Sequence, residues 1–488
     1  MTVLDERPAA APAAGALRSL VPAPAGDPAA WGTRNAHDPT VVRDTDGSWF
    51  MFSTDAAAGA DSVAAGVHVR RSVDLVTWTF VGTALAGVPG PAFEWSQAPG
   101  LWAPEVVRWP ATGAVGADTA EVRWHMYYSA STFGSNTSAI GLAVASSLAG
   151  PWEDRGIVVA TRAGTDSQNA IDAAVTIDRS GAPWLTYGSF FSGIYTLPLD
   201  ATTGRPQTPG DLGTLLARRP VSVDRAIEGA FVLYRREEDR YVLFSSYDSL
   251  FDSYNVRVAV AEEITGPYTD LLGHALTDLD SAPELIGTKV LGSHRFGSDT
   301  GWLAPGHNSI LIEAGLPGTD GSGDGATAGA DGYRSHEYFM VHHVRFADDP
   351  HQHVVQLRRT FFTATGWPVV SPQPFAGAEL ERLTEPVDLA GAWQVVRLAP
   401  DSSALVDSVT STLTLAPAAL VPAGAAPADR LFGAAPENVR LVVGGAGTSG
   451  TELDAVVFPS WDWANARPAL SFSGLAADGV AWFGTRSA

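Results

Sequence analysis

The sequence predicts an all-β protein: a five-bladed β-propeller followed by a small C-terminal β-barrel or sandwich. Three observations carry this. A hairpin pattern recurs five times: a polar opening residue, a short apolar run, a turn, then an aromatic-rich strand. Each copy is followed by a second, shorter pair of strands. The pattern stops near Phe375, well before the chain ends at Ala488. Four short strands per repeat is the signature of propeller blades, whose radial repetition leaves only short edges. The rival is a β-sandwich, but Greek-key strands do not recur in blocks of four.

In chain order, residues 1–30 are Ala/Pro-rich. They lack the continuous apolar stretch of a secretory leader, so they read as the loose arm of a cytoplasmic protein. The propeller reads as residues 31–376. Its hairpins begin with HDPTVVRDTDGSWFMFSTD, from His37 to Asp55. APEVVRW with EVRWHMYYSAS follows, ending at Ser131, and then IDAAVTIDRSGAPWLTYGSF, from Ile171 to Phe190. The fourth is IEGAFVLYRREEDRYVLFSSYD, from Ile227 to Asp248. The fifth is GHNSILIEA with YRSHEYFMVHHVRF, ending at Phe346. β-Branched and aromatic residues flanking Gly/Asp/Ser turns are hairpin chemistry. GVHVRRSVDLVTWTFVG, AIGLAVASSLAGPWEDRG and NVRVAVAEEITGPYTD supply outer pairs, and GIYTLPLDATTGRP and HVVQLRRTFFTATGWPVVSP are looser versions. The Gly/Asp-rich insert Gly315–Gly332 reads as a mobile surface loop. Residues 387–488 are strand-rich without the repeat and read as the C-terminal domain.

Composition narrows the function. The net charge of -22 disfavours nucleic-acid binding, which needs basic patches, and would repel a polyanion while admitting a neutral polymer. The absence of cysteine excludes disulfides and thiolate chemistry. No stretch is long and apolar enough for a membrane span.

The opening residues Asp38, Glu105, Asp172, Glu228 and His307 take the same place in their repeats. On innermost strands they should form a ring at one mouth of the channel. A single acid there could merely cap a strand. Four crowded acids destabilise one another and call for a use. One use is a metal; the other is a split pair of carboxyls, one protonated and one ionised, flanking a glycosidic bond. Trp102 and Phe133, beside loop-like residues, are candidates for stacking on sugar rings, although packing between blades is the commoner role of such side chains.

At these motifs the sequence resembles glycoside hydrolase family 43, and within it the endo-α-1,5-L-arabinanases of two-domain type. The matching stretches are NAHDPTVV, LWAPEVV, MYYSASTFGSNTSAIGLA, NAIDAAVTID, YGSFFSGIYTLPLD, AIEGAFVLY, PGHNSI and TGWPVVSP, in family order across the propeller. The resemblance implies hydrolysis of α-1,5-linked L-arabinan or arabino-oligosaccharides with inversion. Asp38 would be the general base, Glu228 the general acid, and Asp172 the residue that raises the acid's pKa. Asn169 and Ser189, in the matched motifs, would join Trp102 and Phe133 at the substrate. His307 would hold a hydrated ion, Ca2+. Ala173 and Ala230 stand where the family usually has proline. An exo-acting α-L-arabinofuranosidase or β-xylosidase of the same family, or a non-catalytic sugar-binding propeller, remain alternatives.

Overall fold

The computed structural model describes residues 27–109, 123–297, 299–314, 336–416, 431–433, 435–444 and 450–487. The expected N-terminal arm up to residue 26 and the insert Gly315–Gly332 lie outside them. Among the described residues no helix is long and apolar enough to cross a membrane.

Five antiparallel sheets follow one another. Blade one contains Thr40–Arg43, Trp49–Ser53, His68–Ser72 and Thr79–Thr83; blade two contains Trp102–Trp109, Arg123–Ala130, Ser138–Ala145 and Glu153–Thr161. Blade three contains Ala174–Ile177, Pro183–Tyr187, Ile194–Pro198 and Thr214–Ala217. Blade four contains Ile227–Arg235, Arg240–Tyr247, Asn255–Ala261 and Thr288–Leu291; blade five contains Trp302–Ala314, His336–Phe346, Asp349–Phe362 and Pro368–Val370. The first strand of each blade neighbours the first strand of the next, and blade five's returns to blade one's, closing the ring. The chain before blade one seals it: Val355 N–H donates to Thr33 O at 2.9 Å, and Asn35 N–H to His353 O at 3.2 Å.

Alternation along the strands explains why both faces are apolar. In blade one Phe50 and Phe52 point into a core shared with blade two, whereas Met51 points into a core shared with blade five. In blade two Met126 and Tyr128 face blade one, and Tyr127 faces blade three. A strand covered on both faces buries every residue, so the period of two vanishes from its hydropathy.

The C-terminal domain is one seven-stranded sheet. Its edge strands, Val409–Ser411 and Leu413–Leu415, are consecutive in the chain, so the sheet curls back on itself. Val395, Leu441, Val457 and Phe472 fill its inside. The alternate residues Val396, Val456, Phe458 and Phe483 pack outward into the core of blades four and five. Val406–Asp407 also pairs in parallel with His294–Arg295, at the end of blade five's inner strand. The domain is therefore docked by a continuous apolar core.

Candidate active site

The ring forms by a repeated backbone device. At the mouth each blade holds one residue in the left-handed region: Asp38 (φ 52°), Ala103 (37°), Asp172 (62°), Gly229 (56°) and His307 (48°). Two residues further on, ladder pairing to the second strand is established: Thr40 with Phe52, Glu105 with Tyr127, Ala174 with Thr186, Phe231 with Phe244 and Ser309 with Val341. Non-glycine residues there are strained, and such strain clusters at functional sites. The expectation that Glu105 and Glu228 share Asp38's position is thereby corrected. Glu228 stands one residue before the turn. Glu105 stands two after it, deeper in the channel, where Thr40 Oγ1 donates to its Oε2 at 2.9 Å. Burial pushes the Glu105 carboxyl up to about 8, so it is largely neutral at pH 7.

Three carboxyls remain at the mouth in different states. Asp38 accepts from Thr54 Oγ1 at 2.5 Å, and its Oδ1 lies 3.1 Å from His307 Nδ1 and 3.4 Å from His343 Nδ1. Burial opposes its charge, yet the charge and hydrogen bond of His307 hold it well below the ordinary carboxylate range. Asp172 is raised to about 7, chiefly by burial, with Glu228 and Asp38 adding and His307 opposing. Glu228 is raised by burial, against hydrogen bonds from Ser189 Oγ (2.6 Å) and Tyr254 OH. Gly229 N–H donates to Asp172 Oδ2 at 3.3 Å, tying the backbone beside Glu228 to Asp172. One carboxylate held ionised and two carboxyls pushed toward their protonated forms share a site, which suits acid–base work.

His307 is pushed up to about 10: burial disfavours its charge, but Asp38 and Asp172, then Glu228, outweigh it. As an imidazolium His307 is no ligand, so a dication could be held here only by displacing that proton, with the same negative surroundings favouring its charge instead. A single imidazole offers a hard ion little, so water would have to supply most ligands.

The remaining predicted residues divide. Trp102 is half-buried, next to the left-handed Ala103 at the mouth. Phe133 is 79% exposed on a loop between second and third strands, its ring centroid 6.3 Å from that of Phe251, on the corresponding loop of blade four. Asn169 and Ser189 are buried. Asn169 accepts from Ser138 Oγ at 2.7 Å and donates to Ser189 O at 3.3 Å, while Ser189 donates to Glu228. Ser189, held by Asn169, thereby braces the Glu228 carboxyl. Sequence reading missed Tyr254, which lies outside the hairpin motif, and Thr54 and His343, which hold Asp38.

The family model described as "Glycosyl hydrolases family 43" matches residues 32–314. "Extracellular endo-alpha-(1->5)-L-arabinanase 2" of Bacillus subtilis is 26% identical over 93% of each chain. The crystal structure of an endo-1,5-α-L-arabinanase from Thermotoga petrophila superposes with a TM-score of 0.72 at 25% identity, covering 94% of this chain and 99% of that one. A Cellvibrio cellulosa α-L-arabinanase complexed with arabinohexaose superposes with a TM-score of 0.53 at 27% identity, covering 69% of this chain and 95% of that one. The cytoplasmic expectation is corrected here, because the Bacillus relative that spans the chain is named extracellular. The composition of the first thirty residues does not decide where a protein works.

Proposed function

We propose that this chain, which belongs to glycosyl hydrolase family 43, cleaves internal α-1,5 linkages of L-arabinan and arabino-oligosaccharides with inversion. The single observation that carries the mechanism is the split of charge at the mouth. Asp38 stays ionised while Glu228 is pushed toward its protonated form. Asp38 would take a proton from the water attacking the anomeric carbon. Glu228 would give its proton to the leaving oxygen. In an inverting site the two carboxyls stand about 6.5–9.5 Å apart, which leaves room for that water. Asp172, coupled to Glu228 and tied to the neighbouring Gly229 N–H, would orient the acid and, whenever it is itself ionised, favour the proton on Glu228. Full-length similarity to endo-acting arabinanases supports the substrate. A neutral chain also meets no repulsion from a net charge of -22. His307 would hold a hydrated Ca2+, whose positive charge would offset the ionised Asp38 and fix water near it.

The test is product analysis on linear arabinan and aryl pentosides in parallel, with early anomers followed by NMR. Short oligosaccharides should appear first, with the inverted β configuration. Asp38→Ala and Glu228→Ala should each lower kcat at least about a hundredfold while folded. Arabinose as the only early product, or an aryl xyloside as the best substrate, would replace the endo reading with an exo-acting one.

A further inference from the structure

A second cavity, of about 420 Å³, lies on the same side of the propeller as the acids. That volume is in the range of sites for small ligands. Phe190 of blade three and Ala226, two residues before Glu228, bound it on the side of the acids. Its walls are Arg219 and Asp224, from the connection into blade four, and Asp248, from the loop after blade four's second strand. Its far wall is Asp401 and Ser403 of the C-terminal domain.

The cavity is coupled to the catalytic strand at both ends. Phe190 N–H donates to Ile227 O at 2.8 Å, and Asp248 N–H to Ala226 O at 3.1 Å. Ile227 immediately precedes Glu228. Phe190 and Phe191 are both left-handed, at φ 50° and 36°, a conformation that bulky residues hold only when their surroundings impose it. The far wall is clamped as firmly. Buried Lys289 donates to Ala399 O at 2.9 Å and Ser402 O at 2.7 Å, and buried Arg257 to Pro400 O at 2.7 Å. Blade four thus holds a loop of the C-terminal domain in place.

The lining also indicates what would bind. Lys289 and Arg257 are engaged with backbone carbonyls. Arg219 is paired with Asp248 at 2.6 Å and donates to Ala226 O at 2.8 Å. Asp224 and Asp401 are exposed acceptors, Ser403 adds a hydroxyl, and Phe190 offers an apolar surface. Carboxylate acceptors, a hydroxyl and a ring, with basic side chains largely neutralised, suit an uncharged polyol such as a furanose unit.

We propose that this cavity is a distal subsite for the arabinan chain, and that the C-terminal domain thereby takes part in substrate binding. The proposal rests on the arabinanase reading above. The test uses the full chain carrying Ser403→Trp, which fills the cavity, and Asp401→Ala, which removes an acceptor. Neither residue touches the acids. In the wild type kcat/KM should rise with oligosaccharide length. In Ser403→Trp it should fall about tenfold on linear arabinan and arabinohexaose, as expected when remote binding energy is lost, and stay unchanged on the shortest oligomer cleaved. Calorimetry of arabinohexaose binding to Glu228→Gln, with and without Ser403→Trp, should show a matching loss of affinity. Equal losses on short and long substrates, or no loss on either, would overturn the subsite. A wild type that leaves every arabinan substrate intact would instead overturn the function itself.

Discussion

Removing the Tyr254 hydroxyl tests how the acid is tuned. Tyr254 OH and Ser189 Oγ both donate to Glu228, against the upward push of burial. A hydrogen bond to an ionised group contributes about 1.5–3 kcal/mol, and to a neutral one about 0.5–1.5 kcal/mol. Tyr254→Phe therefore costs the ionised form about 1–1.5 kcal/mol more than the protonated form. At about 1.36 kcal/mol per unit, the pKa of the acid should rise by about one unit. A general acid must be protonated to act, so the alkaline limb of kcat/KM reports its pKa and should move up by the same amount. The limb belongs to Glu228 and Asp172 together, because the two titrate as an interacting pair. The acid limb, set by Asp38, should stay in place, because phenylalanine keeps the ring that stacks on His343. The assay is a pH–rate profile on arabino-oligosaccharide, with circular dichroism as a fold check. An alkaline limb that stays put or moves down in a folded variant would refute the reasoning.

Two further outcomes follow. Glu105, raised from 4.5 to about 8 by burial, keeps its proton in the folded chain over a range where the unfolded chain has lost it. Its contribution to stability is present below about 4.5 and fades as pH rises toward 8. Glu105→Gln should abolish that loss, on the order of a few kcal/mol, while hydrolysis persists; urea unfolding at pH 5 and pH 8 checks it, and an unchanged pH slope would refute it. If His307 holds Ca2+, metal analysis should find one ion per chain that prolonged EDTA removes with a fall in melting temperature, and His307→Ala should lack it. A chain that never contains the ion would refute the assignment.

Much of the fold was legible because strand repeats survive in sequence even when hydropathy does not alternate. Phe50, Met51 and Phe52 face opposite cores, yet their position after a Gly turn still marks a second strand. The docking of the C-terminal domain was harder to read. Val395 and Val396 fill different cores, and a one-dimensional pattern cannot separate a barrel interior from an interface. Asp38 and Asp172 were placed correctly at the mouth by repeat position alone. Glu105 was misplaced because acids were aligned with acids. Aligning the prolines, Pro39 with Pro104, would have matched Asp38 to Ala103 and Glu105 to Thr40.

The part of the site least visible in sequence is what holds the ring in its left-handed conformation. The residue two places beyond the ladder position on each second strand is Thr54, Ser129, Gly188, Ser246 or His343. Four of the five accept a hydrogen bond from the next blade's turn. Ala103 N–H donates to Thr54 Oγ1 at 2.8 Å, Asp172 N–H to Ser129 Oγ at 3.0 Å and His307 N–H to Ser246 Oγ at 2.7 Å. Asp38 N–H donates to His343 Nδ1 at 3.3 Å. These bonds anchor Asp172 although Ala173, not proline, follows it. The fifth place cannot serve. Gly188 has φ 123°, and a Cβ there would lie 2.3 Å from Gly193 O. Without that acceptor, the N–H of Gly229 turns to the Asp172 carboxylate. Gly229 is itself confined, because a Cβ would meet the His307 ring at 2.9 Å. Blade three alone lacks a side-chain acceptor at this place, and the turn it would have held, that of blade four beside Glu228, is held by the Asp172 carboxylate instead. A missing side chain in blade three thus joins Asp172 to the backbone of the acid it is proposed to tune.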